Sequence, residues 1–407
     1  MDYITLAPEM ELPTSLEDVD AHSMYAAFEK ITDGRCKRGR RYPVALILTL
    51  IVLAKLMGEP KLSGVSQWAR LRGTWLNEVL HLERTQWPAA STYTYVLERL
   101  DAQEVTREMQ QCLTRAETSR RCGDEPSRLA TQGGAEHSAQ IAMDGKTMRG
   151  TLGHEAPTQE SVHLLSLYEV GTGIVLAQRA VQTKENEISA AAEGVTPELL
   201  KGRIYSADAM HTQKKWCRQV TRAGGHYLLI AKNNQSTLRE DLALYLDDPE
   251  ADRTCWHTAS TCNKGHGRLE KRSLVATTDL NDFLARDWQE VAQVFRLERT
   301  VFKKGGWSTS VVYGLTSLPP KQASASRLLE LNRNHWGIEN RSHWRRDVTL
   351  GEDHSQVRSG CAPQVLAALN NTVLALMDFL HVPNVPNQMR FYQAHPREAL
   401  RLLLVKL

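Results

Sequence analysis

Residues 331–353, LNRNHWGIENRSHWRRDVTLGED, place Glu339 among four arginines, two histidines and two tryptophans, ahead of Asp347 and the acidic pair Glu352 and Asp353. The preceding ASASRLLELNRN has neither Gly nor Pro, which predicts a helix already under way as the stretch begins. On an α-helix, positions three, four and seven apart share a face. That face carries His335, Trp336, Ser342, His343 and Arg346 beside Glu339. Bases and aromatics around a carboxylate make a poor core. They suit an acid that holds a cation next to a polyanion. The competing reading is an amphipathic surface helix whose charges pair with one another.

The rest of the chain sets the bounds. Its 407 residues can form two or three domains with substantial cores, and 42% of them are hydrophobic. The formal charge of +3 is small but unevenly spread. Basic residues gather in RCKRGRR, residues 35–41, and again at 341–346, which fits an anionic partner or a solvated face. The opening MDYITLAPEMELP lacks the features of a signal peptide, and the apolar run 44–57 is too short for a bilayer and contains Lys55. Seven scattered cysteines fit a reducing compartment. These features predict a soluble cytoplasmic protein with no membrane partner.

Taken from the start, the SLED tetrad at residues 15–18 resembles a capping box and predicts a first helix reaching Ile31. Pro43 opens the apolar helix. A short helical segment, SGVSQWARLR, follows, and another helix begins after Trp87 and Pro88 with Ser91 or Thr92 as its cap. Residues 1–118 therefore read as a helical N-terminal domain, in which a helix-turn-helix for DNA and an ordinary bundle are both open. Residues 119–139, polar and charged, read as a linker. Beyond them QIAMDGKTMRG, SVHLLSLYEV, GIVLAQRAV, GRIYSADAM and HYLLIAK read as strands, and KENEISAAAEGVTPELL and TQKKWCRQVTRAGG as helices. Such alternation predicts a mixed α/β sheet. Residues 233–320 read as a β-rich insertion that divides an α/β unit into residues 140–232 and 321–382. That unit closes with the apolar helix APQVLAALNNTVLALMDFLHV, in which Asn370, Asn371 and Asp378 argue for burial in protein. Residues 383–407 read as a C-terminal tail with one short amphipathic helix.

Asp144 and Asp208 each stand just beyond a predicted strand, where functional groups gather in open α/β sheets. Turn or cap residues occupy such places too. Two such acids, followed by Glu339 on a basic helix, suit a divalent-metal site for Mg²⁺, or for Mn²⁺, that leaves room for water and phosphate oxygens.

DGKTMRG, the KENEI segment, SADAMHTQ, YLLIAKNNQ, GHGRLEKR and HWGIENRSHW with DVTLGEDHSQVR together resemble the H-repeat-associated family of bacterial insertion-sequence transposases, of the DDE class. The resemblance runs from segments near Gly34 and Tyr42 to the helix after Cys361. It implies an α/β fold: a ribonuclease-H-like catalytic domain with a β-rich insertion, preceded by an all-α N-terminal domain. It implies Asp144, Asp208 and Glu339 as catalytic metal ligands in a two-metal cleavage and strand transfer of an insertion sequence. The implied partner is double-stranded DNA, at element ends and target, with a homodimer in the active complex and a cytoplasmic, nucleoid-associated location. Lys146, Arg149, Lys232, Asn234 and Gln235 flank the first two acids as candidate phosphate contacts. Arg268 in HGRLEKR, and Arg333, His335, His343 and Arg346 around Glu339, are further candidate DNA contacts. Broader relatives carry Tyr seven before, Arg four before and Lys seven after the Glu. Here Asn332, His335 and Arg346 stand at those places, so only the last keeps its charge, and Arg333 is the nearest substitute.

Rival readings exist for several residues. Cys255, His257, Cys262 and His266 cluster, but not with a common zinc-finger spacing, and GHGRLEKR accounts for His266 without a metal. Asp347, Glu352 and Asp353 compete with Glu339 as third ligand or support the site from behind. Trp336 and Trp344 are expected to pack on the sheet in preference to stacking on a base. His211 and His354 are expected to be bystanders. Two alternatives to a transposase remain: a domesticated or inactive relative that only binds DNA, and a plain metal-dependent nuclease.

Overall fold

The computed structural model describes residues 4–5, 11–38, 40–123, 138–151, 162–181, 195–265 and 267–407. Up to residue 123 the described elements are helices: α1 (Met24–Glu29), α2 (Val44–Leu56), α3 (Leu62–Leu71), α4 (Gly73–Leu80), α5 (Ala90–Leu97) and α6 (Ala102–Gly123). All 13 residues of α2 are buried. A helix apolar on every side has to be surrounded, and α1, α3, α5 and two helices from the far end of the chain surround it. Three sequence expectations need correction. The first helix is capped by Ser23, whose hydroxyl accepts from the Ala26 N–H, while Ser15 instead turns its hydroxyl to Asp18. The N-cap of α5 is Ala89, not Ser91 or Thr92. Residues 119–123 of the expected linker continue α6.

Among the described residues a nine-stranded sheet follows, in the order β3-β2-β1-β4-β5-β9-β8-β7-β6. Its strands are β1 (Gln140–Thr147), β2 (His163–Glu169), β3 (Val175–Val181), β4 (Ile204–Ala207), β5 (His226–Ala231), β6 (His257–Gly265), β7 (Arg268–Thr277), β8 (Gln293–Lys303) and β9 (Gly306–Thr316). β1 runs antiparallel to β2 and parallel to β4, and β4 runs parallel to β5. The parallel pairs need crossovers, and the segment from β4 to β5 supplies α8 (Lys214–Arg222), after the short α7 (Pro197–Leu200). The KENEI segment falls outside the described residues.

Residues 233–320 hold four strands, and these are not set apart from the sheet. β9 pairs with β5, so the four added strands extend the same sheet, with α9 (Ser236–Leu246) and α10 (Asn281–Leu284) between them. The next helix, α11 (Ala325–His335), ties the two halves together. Its Leu328, Leu329 and Leu331 share a core with Ile204 and Leu228 of the first half and Leu274, Ala276 and Phe295 of the second. α12 (Ala362–Phe379) packs on α6, α2, α5 and β3, so the expected catalytic unit and the N-terminal helices share one core. The expected tail is also packed: α13 (Val385–Ala394) precedes α14 (Pro396–Leu404), and α14 rests on α1 and α2. Gln388 of α13 exchanges hydrogen bonds with the backbone of Ile4. None of the described helices is long and apolar enough to cross a membrane.

Lys55 is the anomaly of α2. It is 1% exposed, and its Nζ donates to the Pro60 carbonyl at 3.3 Å. Burial pushes its pKa from 10.5 down to about 8, and only the nearby Glu352 resists. The unfolded chain binds the proton more tightly, so the native state is penalised fully below about pH 8 and less as pH rises towards 10.5. That displacement corresponds to about 3 kcal/mol. Lys55→Met is therefore expected to raise Tm at pH 7, with a gain that shrinks by pH 10, as measured by thermal melts across that range.

Candidate active site

The register of the central strands builds the site. Met143 of β1 faces Ala207 of β4 across the parallel ladder, and the next residues on each strand are Asp144 and Asp208. Neighbouring strands lie about 4.8 Å apart, so the backbone brings the two acids to adjacent strands at the same level of the sheet. Asp208 begins the short turn Ala209–His211 just beyond β4, as expected. Asp144 is still inside β1, opposite Ser166 of β2. It marks the point where β4 leaves the ladder.

Asp208 meets Lys232, the residue after β5, at 2.9 Å. Partial burial works to raise the Asp208 pKa, but the hydrogen bond and charge of Lys232 hold it below the ordinary value. Asn234 and Gln235 hold the same turn by donating to the carbonyls of Ala209 and Thr212 at 2.6 and 2.9 Å. Beside it opens a cleft of about 480 Å³, lined by Asp208, Met210, Lys232, Arg239, Val311 and Tyr313 among others.

Glu339 arrives on a backbone that departs from the expected continuous α-helix. α11 stops at His335, and two widened π-helical turns follow, Ile338–His343 and Arg345–Thr349. Such turns are rare and concentrate at functional sites. Here they accompany a cluster of inward-directed bases. Arg341 donates to the Val170 carbonyl at 2.8 Å and, with Arg345, grips Asp378 of α12.

His343 joins the acids. Its Nδ1 lies 3.4 Å from Asp144 Oδ2 and 3.5 Å from Glu339 Oε2. One atom from each of the three residues lies within 4.8 Å of the others. Asp208 is not in this triad. The His343 hydrogen bond does most to hold the Glu339 carboxyl below its usual range, against partial burial. Burial works to lower the His343 pKa, but the hydrogen bonds to Asp144 and Glu339 outweigh it and raise the pKa. His335 occupies the gap on the other side, with Nδ1 3.2 Å from Ser206 Oγ. Its burial lowers its pKa, although both Asp144 and Asp208 act on it in the opposite sense. The donors that converge on Asp144 and Glu339 are thus two carboxylates and one imidazole, a set that fits a divalent cation.

Residues 137–376 match the family described as Transposase DDE domain, and residues 25–114 match one described as DDE_Tnp_1-associated. The chain belongs to the DDE transposase family. It is 30% identical over 274 residues to a protein encoded in the dhlA 3' region of Xanthobacter autotrophicus, covering 67% of this chain and 86% of that one. It is also 30% identical over 250 residues to the H repeat-associated protein YhhI of Escherichia coli K12, which is named as a transposase; that match covers 58% of this chain and 63% of YhhI. Among solved structures, piggyBac transposase in its synaptic complex with hairpin DNA is similar over 95% of this chain and 77% of that chain, at 10% identity and a TM-score of 0.40. That likeness is too distant to carry an argument.

In this DDE transposase several expected DNA contacts turn inward. Arg346 has no exposed surface and forms a bidentate pair with Glu352, at 2.9 and 2.6 Å. Lys146 is 7% exposed and sits 2.6 Å from Asp347 and 3.7 Å from Asp353. Both were expected to meet phosphates, and burial leaves them no face to do so. Asn234, Gln235, His335 and His343 spend polar atoms on the site itself. Arg149, Lys232 and Arg333 do reach the surface, and Arg268 is half-buried beside Glu270. Trp336 and Trp344, expected to pack, are 56% and 54% exposed.

The rival acids also find places. Glu352 is sealed behind the site, accepting from Arg346 and from Asn370 of α12, and Asp347 and Asp353 hold Lys146. His211 is buried and His354 exposed. Cys255 and Cys262 are exposed, and His266 lies outside the described residues. Two supports went unread in the sequence. Gln140 donates to Ser206 Oγ and to the Leu331 carbonyl, joining β1, β4 and α11. Gly150 closes DGKTMRG because a Cβ there would strike the Ser355 carbonyl.

Removing one partner of a buried ion pair leaves the other charge stranded, at a cost of about 3–5 kcal/mol. Arg346→Met is expected to lower stability by that order in urea unfolding. The double variant Arg346→Met/Glu352→Leu is expected to recover most of the loss.

Proposed function

We propose that this protein cleaves DNA at the ends of a mobile element and joins the freed strand to a target, using divalent metal held by Asp144, Asp208 and Glu339. The observation that carries the reading is the convergence of Asp144 and Glu339, from a sheet strand and from a segment about half the chain away, within a chain of the DDE transposase family. One acid on a central strand and another just beyond its parallel neighbour, with helices packed on the sheet, support a ribonuclease-H-like description of residues 140–232 and 321–382.

Asp144 and Glu339 would hold one ion between them, and Asp208, just beyond the neighbouring strand, would hold or share a second. Mg²⁺ suits their oxygens and keeps open positions for water and phosphate. When bound, such ions supply an activated water or 3′-hydroxyl and stabilise the leaving oxygen. The protein's part is alignment. The ladder sets β1, which carries Asp144, beside β4, which leads into Asp208, His343 holds Glu339 towards Asp144, and Lys232 balances the charge of Asp208. Arg149, Lys232 and Arg333 offer exposed cations to a DNA backbone. Double-stranded DNA is the partner that fits, and pairing two element ends calls for a homodimer in the active complex.

Asp144→Asn, Asp208→Asn and Glu339→Gln are each expected to reduce strand cleavage on the order of a thousandfold or more, with binding to the same DNA within about threefold of wild type. Cleavage of a terminal-repeat substrate at the wild-type rate by the Asp208→Asn protein contradicts the proposal. DNA binding by the wild-type protein with no cleavage under Mg²⁺ or Mn²⁺ favours a relative that only binds. Cleavage without joined products favours a plain nuclease.

A further inference from the structure

The proposed site offers its ion a nitrogen as well as oxygens. His343 is 4% exposed, and its Nδ1 is shared between Asp144 and Glu339 at 3.4 and 3.5 Å. Two donors bound cis at about 2.1 Å from an octahedral ion lie about 3 Å apart. An ion entering between these residues would draw Nδ1 about half an ångström closer to each carboxylate oxygen, and would bring together the Asp144 and Glu339 oxygens, which lie within 4.8 Å of one another. The ring is also well anchored, because its π-helical turn is pinned on either side by Arg341, Arg345 and Arg346. His343 Nε2 has no hydrogen-bond partner among the described residues.

We propose that His343 is a direct ligand of the ion held by Asp144 and Glu339, and that it makes this position prefer Mn²⁺ to Mg²⁺. The inference rests on the metal-dependent reading of the site. Its chemistry is that of the donor set: Mg²⁺ favours all-oxygen surroundings and gives up water reluctantly, whereas imidazole suits transition metals. A site of carboxylates alone would not draw this distinction through nitrogen.

The test is Mn²⁺ binding to the full chain, followed by pulsed electron paramagnetic resonance. The wild-type protein with Mn²⁺ is expected to show ¹⁴N coupling from a directly bound imidazole. His343→Gln is expected to abolish that coupling and to weaken Mn²⁺ binding on the order of 10–100-fold, while Mg²⁺ binding, read by competition, changes less than about threefold. Bound Mn²⁺ without ¹⁴N coupling in the wild type overturns the inference and leaves the carboxylate site standing, and this reading needs no variant to fold. Unchanged Mn²⁺ affinity in a folded His343→Gln protein overturns it as well. Failure of the parent reading looks different: Mn²⁺ would not bind the wild type, or would bind equally well to Asp144→Asn and Glu339→Gln.

Discussion

Arg346 and Glu352 pair in complete burial, and the geometry of the site hangs on that contact. Two charges removed from water are tolerated only where geometry is good and the remaining polar atoms find partners. The bidentate contact and the Asn370 amide satisfy much of that demand. The consequence is positional. Arg346 belongs to the widened turns that also carry Glu339 and His343, and Asn370 belongs to α12 in the shared core. The pair therefore fastens the Glu339 segment to the body of the molecule at a fixed depth. Lys146 does the same from the strand side, reaching from β1 to Asp347 and Asp353. Between these two anchors, Glu339 faces Asp144.

The architecture continues this arrangement outwards. α11 lies across strands from both halves of the sheet, so the added strands help to set the approach of the Glu339 segment. α12 packs against the N-terminal helices, and Lys55 of α2 lies within reach of the Glu352 charge. The helices expected to meet DNA and the residues expected to hold metal thus share one core. Relative motion between them has to pass through buried charge, which favours a few discrete arrangements over continuous flexing.

Much of this was legible in the chain, and the reason lies in local chemistry. A wholly apolar α2 has one solution, burial. Short apolar strands ending in acids mark Asp144 and Asp208, and a basic, aromatic stretch marks Glu339. What escaped was whatever depends on distant partners. From sequence, Arg346 and Lys146 look like exposed bases, because nothing nearby reveals that Glu352, Asp347 and Asp353 fold back on them. Trp336 and Trp344 look like packing residues because large aromatic side chains are usually mostly buried, yet both are more than half exposed. The merging of the expected insertion with the central sheet was hidden for the same reason, since the β5–β9 pairing joins residues far apart in sequence. His343 was counted among DNA contacts, since its spacing from Glu339 was visible but its approach to Asp144 was not.

In the proposed reading, Asp144 and Glu339 close on a single divalent ion. Anomalous diffraction from crystals of the full chain grown with saturating Mn²⁺ tests it most directly. The account expects an anomalous peak within about 2.5 Å of a carboxylate oxygen of each residue. Peaks confined to other positions, with Asp144 and Glu339 left unligated, would contradict it.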